Sequence, residues 1–231
     1  TNFYPPRAKN EFSLDYVRGA RGRMIVLEQM TRLGQNVPIY GPGWMRLWAW
    51  RSIAHGACGI NFFRWRMCRW GQEMQRDGLL SHDGRPNRRY QELARMGQEI
   101  EQVGALIERT RPAARVAIVM SYESRWAISA GMGDAELRPL AEANRFHDLL
   151  MERNVTVDAM DPRENLAAYD LVIAPRLYCL DRAVADNLRR RAEEGAVVCL
   201  TAASGQVDEF NKAFDTPLPG RLSDAAGIEV E

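Results

Sequence analysis

Met24-Ile25-Val26-Leu27-Glu28-Gln29 is an apolar run that reads as a buried strand ending in a carboxylate. In parallel barrels of strands and helices, side chains at the carboxyl end of a strand leave the packed interior and face substrate. On this local pattern Glu28 is either a candidate nucleophile or a strand-end glutamate in a structural ion pair, because both occupy such places. Downstream, Gly34, Pro38, Gly41 and Pro42 mark 30–43 as an irregular loop. Trp44 to His55 has apolar residues on more than one side and reads as a buried helix stopped by Gly56. Ile60-Asn61-Phe62-Phe63-Arg64-Trp65 is rich in aromatic and branched residues, as a strand requires. Strand, loop, helix and strand over 24–65 make a right-handed parallel crossover. Upstream, residues 1–12 read as a strand tail or loop, and Ser13 caps a short helix to Arg18 that Gly19 and Gly22 end.

A second long loop, 66–86, carries Trp70, Glu73, Arg76 and the turn Asp83-Gly84. Tyr90, Leu93, Met96, Ile100, Val103 and Ile107 then recur at three- and four-residue intervals, which predicts a helix over 87–109. Thr110-Arg111-Pro112 is a linker, so the first domain is drawn over 1–110 and the second over 111–231. In the second, strands at 116–120, 155–158, 171–175 and 197–201 alternate with helices at 136–153 and 182–194. That alternation indicates a doubly wound, three-layer α/β domain.

With 31 basic and 30 acidic side chains and a net charge of +1, the chain lacks the basic stripe of a nucleic-acid binder. Cys58, Cys68, Cys179 and Cys199 show no C-x-x-C spacing, and His55 (near a helix end) and His82 (before a turn) have no partners at metal-ligand spacing. Neither a metal nor a cofactor is expected. No apolar run reaches the ~18 residues of a spanning helix, and the start is not a signal peptide. The expectation is therefore a cytoplasmic protein with no membrane partner. The first residues are Thr1-Asn2-Phe3-Tyr4-Pro5-Pro6, so the chain is expected to be part of a longer polypeptide.

Val26-Leu27-Glu28-Gln29, then Arg46-Leu47-Trp48-Ala49-Trp50, Ala54-His55-Gly56-Ala57 and Phe62-Phe63-Arg64-Trp65-Arg66, in this order and spacing, resemble the β-galactosidases of glycoside hydrolase family 42. The likeness continues through Gly78-Leu79-Leu80-Ser81-His82-Asp83-Gly84, Tyr122-Glu123-Ser124-Arg125-Trp126-Ala127 and Tyr169-Asp170-Leu171-Val172-Ile173-Ala174-Pro175, and so covers essentially the whole chain. The resemblance implies the C-terminal part of a (β/α)8 TIM barrel followed by a doubly wound, class I glutamine amidotransferase-like (flavodoxin-like) trimerisation domain, slightly truncated. It implies that Glu28 is the nucleophile at the end of barrel strand 7. It also implies that Tyr4 hydrogen-bonds and orients that carboxylate, and that Glu73, on the loop after strand 8, grips galactose hydroxyls in charge-assisted bonds.

Two departures from the family pattern touch sugar contacts. Arg76 stands where many members have histidine, and Gln35-Asn36-Val37-Pro38 occupies a loop where many have tryptophan. Arg76 and Asn36 are therefore candidate substrate contacts, Asn36 through its amide. Arg64 and Arg66, read as alternating with Trp65 along the strand, either orient carboxylates around the site or are structural.

The implied activity is hydrolysis of terminal β-D-galactosyl residues by double displacement, which needs a second, protonated carboxyl about 5–5.5 Å from the nucleophile. The family's general acid follows an asparagine at the end of strand 4, upstream of this chain, so the chain alone is expected to be inactive. The alternative is a non-catalytic assembly fragment whose second domain supplies the contacts of a homotrimer, with Trp126, Ile128 and Met132 as candidates. A glutamine amidotransferase is disfavoured, because Cys179 lacks a glycine-rich elbow and His147 lies inside a predicted helix.

Overall fold

The strand at Met24 extends to Met30 and is the middle member of a three-stranded parallel sheet, β1 (Asn2–Phe3), β2 (Met24–Met30) and β3 (Ala57–Phe63). In this computed structural model the described residues are 2–3, 11–31, 41–131 and 138–230. The chain divides into two units, Thr1–Pro112 and Ala113–Glu231.

In the first unit, α1 (Glu11–Arg21) and α2 (Trp44–Ala54) cover one face of the sheet. Leu14 of α1 and Trp48 of α2 close over Met24, Val26 and Ala57, all nearly inaccessible. Each large side chain buried there contributes about 1.5–3 kcal/mol. Ile25 and Leu27 point the opposite way and remain 48% and 62% exposed. Parallel sheets are normally covered on both faces. An exposed apolar pair on the middle strand of a parallel sheet is what one stave of a barrel looks like without the rest of the wall.

Several boundaries differ from the sequence reading. α1 runs from Glu11 to Arg21 and carries Gly19 within it, because Phe12 and Leu14 pack inward and outweigh the glycine's low propensity. β3 begins at Ala57, three residues earlier than expected, and ends at Phe63, which leaves Arg64 and Trp65 beyond the strand. Cys58 is an extra residue in that strand, since Met24 pairs with Ala57 and Ile25 with Gly59, and its thiol donates to the Met24 carbonyl at 3.2 Å. His55 does more than face helix-end carbonyls. Its Nδ1 lies 2.7 Å from Asp15 Oδ1, and Arg18 Nη1 donates both to Asp15 (2.5 Å) and to the His55 carbonyl (2.9 Å). Glu11 pairs with Arg51 beside this group. These buried charges are thus paired across α1 and α2, as burial demands.

The predicted long helix is α3 (Arg88–Ile107), begun by Asn87, whose side chain accepts from the backbone N–H groups of Arg89 and Tyr90. It is tied to α2 through Glu99, which accepts from Arg46 Nε at 2.7 and 2.9 Å and from Trp50 Nε1 at 3.1 Å. These bonds hold the Glu99 carboxyl below the usual carboxylate range.

The second unit has a four-stranded parallel sheet ordered β5-β4-β6-β7, with β4 (Val116–Val119), β5 (Val157–Met160), β6 (Leu171–Ala174) and β7 (Val197–Leu200). Three helices go with it, α4 (Tyr122–Gly131), α5 (Pro139–Met151) and α6 (Arg182–Glu193). Ala117, Val119, Val172 and Ala174 meet Val184, Ala185 and Leu188 of α6 in one core, while α5 packs on β4 and β5. β5 starts two residues later than expected. α4 occupies a stretch for which the sequence reading gave no helix. Its Ile128 is 2% exposed, so that side chain belongs to the interior of its own unit and is withdrawn as a subunit contact. Met132 lies outside the described residues.

Among the described residues no helix is long and apolar enough to cross a membrane. Nor do they hold a group of three or more His, Cys, Asp or Glu side chains able to bind a metal ion.

Candidate active site

β2 changes phase just before its carboxyl end. Met24 and Val26 face the helices, and strict alternation would put Glu28 with them. The register prevents this: Val26 pairs with Ile60 and Gln29 with Phe62, so Leu27 and Glu28 together oppose Asn61. This is a β-bulge, a device that re-aims side chains near sites. It returns Gln29, 0% exposed, to the helix-covered side. Glu28 is left half-buried at the strand end, in register with Asn2 of β1. Gln29 bears a cost, since neither polar atom of its buried amide has a hydrogen-bond partner among the described residues.

The loop after β3 carries the other described candidates. Glu73 sits in a single 3₁₀ turn, Gln72–Gln75, and its Oε2 accepts from Arg64 Nη1 at 2.8 Å. Arg64 therefore does orient a carboxylate, and its guanidinium also lies over the Phe63 ring at 4.8 Å. Arg66 serves structure instead, donating to the His82 carbonyl at 2.8 Å. Arg76 is exposed and closes the turn by donating its backbone N–H to the Glu73 carbonyl at 3.0 Å. Trp70, 74% exposed, stands just before Glu73 in the same loop.

The loop's return limb runs tightly beside its outgoing limb, because Leu79 and Leu80 donate to the carbonyls of Arg64 and Trp65 at 2.9 and 2.7 Å. Gly78 is required at the crossing: a Cβ there would lie 2.6 Å from the Met67 nitrogen. Tyr4 and Asn36 lie outside the described residues. The arrangement thus offers, at the carboxyl edge of adjacent strands, one strand-borne carboxylate and one loop-borne carboxylate oriented by arginine. Such groups suit attack on, and grip of, a polyhydroxylated ligand.

Residues 5–103 match a family model described as β-galactosidase, and residues 114–231 match one described as β-galactosidase trimerisation domain. The chain belongs to glycoside hydrolase family 42. Among its family 42 relatives, β-galactosidase BgaB of a Geobacillus strain is 36% identical over 213 residues, 90% of this chain and 31% of that protein. β-Galactosidase BgaH of Haloferax lucentense is 33% identical over 220 residues, 94% of this chain and 32% of that protein. The crystal structure of the β-galactosidase from Rahnella sp. R3 superposes with a TM-score of 0.91 at 27% identity, covering 100% of this chain and 36% of that one. The chain spans about a third of the length of these relatives. Its fold is accordingly α/β, part of a TIM-barrel wall followed by the doubly wound domain.

The carboxyl edge of the second unit is chemically quieter. The backbone N–H of Cys179 donates to Ser124 Oγ at 2.9 Å, and burial pushes the thiol pKa up, with the Glu123 charge adding to the effect. A raised pKa removes thiolate, the nucleophilic form. His147 lies in α5 and is 0% exposed.

Proposed function

We propose that this chain is the carboxyl-terminal part of a retaining, exo-acting β-D-galactosidase. In this reading Glu28 attacks the anomeric carbon of a terminal β-galactosyl residue as the glycosidic bond breaks and the general acid protonates the departing aglycone oxygen; water, deprotonated by that same group, then displaces Glu28 from the galactosyl-enzyme. Tyr4 holds the rotamer of the nucleophile, Glu73 accepts protons from adjacent sugar hydroxyls, and Asn36 and Arg76 add contacts from the flanking loops. The observation that carries the reading is the bulge that turns Glu28 off the helix-covered face at the carboxyl end of β2. It is supported by the match of this region to a β-galactosidase model. The general acid is assigned to the part of family proteins that this chain does not span. Nothing in the chemistry requires a cofactor.

A fluorinated galactoside that accumulates the covalent intermediate should label the peptide containing Glu28 in the full-length enzyme. Label on the Glu73 peptide would reverse the two assignments. The chain alone should not release nitrophenol from a nitrophenyl galactoside, and robust release would refute the division of the site.

The second unit is read as the self-association module of a homotrimer, following the description of the model that it matches. The Tyr122 and Trp126 rings meet at a tilt, 5.8 Å apart along α4, and Trp126 is 64% exposed. An exposed aromatic pair on a helix suits the apolar centre of a stable interface. Light scattering on the full-length enzyme tests this: Trp126→Glu should dissociate a trimer with circular dichroism unchanged, and a wild-type monomer at micromolar concentration would refute it.

A further inference from the structure

Thr31 immediately follows β2 and is 4% exposed. Its backbone N–H donates to the Phe63 carbonyl at 3.1 Å, and its hydroxyl donates to the Asp77 carbonyl at 2.8 Å. The next carbonyl, Gly78, receives Asn87 Nδ2 at 3.0 Å and Arg89 Nε at 3.1 Å, while Arg89 Nη1 reaches Asp77 Oδ2 at 3.3 Å. Donors from the end of β2 and the start of α3 thus converge on two consecutive peptide units. Those units follow the turn that carries Glu73, and the turn is closed by the Arg76 N–H on the Glu73 carbonyl.

We propose that Thr31 and the Asp77–Arg89 pair are positioning residues of the sugar site, fixing the Glu73 loop against the strand that carries Glu28. This rests on the reading of Glu73 as the group that grips the substrate. The physical case is one of register. A buried apolar side chain at residue 31 would fill the same space but drop the bond that ties the loop at Asp77 to the end of β2. A hydroxyl aimed at one carbonyl, met from the other side by a two-point arginine, defines a single placement. Arg64 sets the orientation of the Glu73 carboxylate from the outgoing limb, and Thr31 fixes the limb that returns.

The test is steady-state kinetics of the full-length enzyme on a nitrophenyl galactoside. Thr31→Val should raise KM about tenfold with kcat changed less than about threefold, the pattern of lost ground-state binding, and Thr31→Ser should restore it. Because Thr31 acts through Glu73, Thr31→Val should add less than about twofold in a Glu73→Gln background. An unchanged KM in Thr31→Val, or effects that multiply in the double variant, would overturn the proposal. If Glu73→Gln itself leaves KM unaltered, the assignment of Glu73 fails and takes this inference with it. Arg89→Lys is the second route should Thr31→Val not fold. A lysine lacks the planar Nε–Nη1 fork that spans Gly78 and Asp77, so the same rise in KM is expected, and its absence counts against the proposal.

Discussion

At the carboxyl edge of the first sheet Arg64 holds Glu73 with that carboxylate still 42% exposed; at the edge of the second, Arg176 holds Glu142 at 3.1 Å with its carboxylate 22% exposed. Glu142 also accepts the Thr201 hydroxyl at 2.9 Å, and the Arg176 N–H donates to that same Thr201 oxygen at 2.8 Å. The motif is shared, an arginine just past a strand meeting a glutamate, but the acceptors are differently committed. In the second unit a single oxygen, Glu142 Oε2, meets both the Arg176 side chain and the Thr201 hydroxyl, and the carboxylate is the more buried of the two. In the first, a carboxylate is oriented and left with capacity for a ligand's hydroxyls. The same contrast runs through the sheets, since the second buries Ile118 and Val172 fully whereas the first leaves Ile25 and Leu27 open.

The sharpest way to break this comparison is to test both edges in one full-length enzyme. Glu28→Gln should lower kcat by about 10⁴-fold or more, as loss of a covalent nucleophile does. Cys179→Ser should leave it within about twofold, and a matching loss there would give the second unit a chemical role. Next in size is Gly78→Ala. Its Cβ would press on the Met67 nitrogen and the Arg66 carbonyl carbon, which are backbone atoms without rotamers to yield. A loss of roughly 1–3 kcal/mol, confined to the first unit in thermal unfolding, is expected.

The bare face gives a smaller and more telling contrast. Val172→Ala should cost about 1–2 kcal/mol in the chain alone, whereas Leu27→Ala should cost little there and more in the full-length enzyme. Equal costs for Leu27→Ala in both contexts would mean that nothing covers this face. The smallest effect concerns acid. The Asp170 carboxyl is held below the usual range by the Arg115 side chain, which donates to it at 2.5 Å. A depressed carboxyl contributes stability above its unfolded pKa and loses it as pH falls through the folded value. Asp170→Asn should therefore lower stability slightly at neutral pH and converge with the wild type as pH falls below about 4, and a deficit that grew toward acid would contradict the sign.

What the sequence disclosed follows from where a single period governed a segment. β4 and β6 are continuous apolar runs, α6 keeps Val184, Ala185 and Leu188 on one side, and all three were legible. The start of β3 was not, because Cys58 and Gly59 lie in a register shift where alternation fails. α4 was missed because it buries Ser124 and Ile128 while exposing Trp126, so it shows no apolar stripe. At the site, Glu28 was visible as a carboxylate near the end of a strand and Glu73 through the family resemblance, while the sequence left Arg64 open between orienting a carboxylate and a structural role. Thr31 was invisible, since its partner is a backbone carbonyl that no residue code announces.

The bulge in β2 also bears on how such a strand tolerates editing. Val26 and Gln29 keep their helix-facing sides whether one or two residues stand between them. Deleting Leu27 would leave both faces intact, with Glu28 alone opposite Asn61 between Val26 and Gln29. One spare position in one strand thus makes the setting of the Glu28 carboxylate adjustable by a single codon while the helix-facing core is left unchanged.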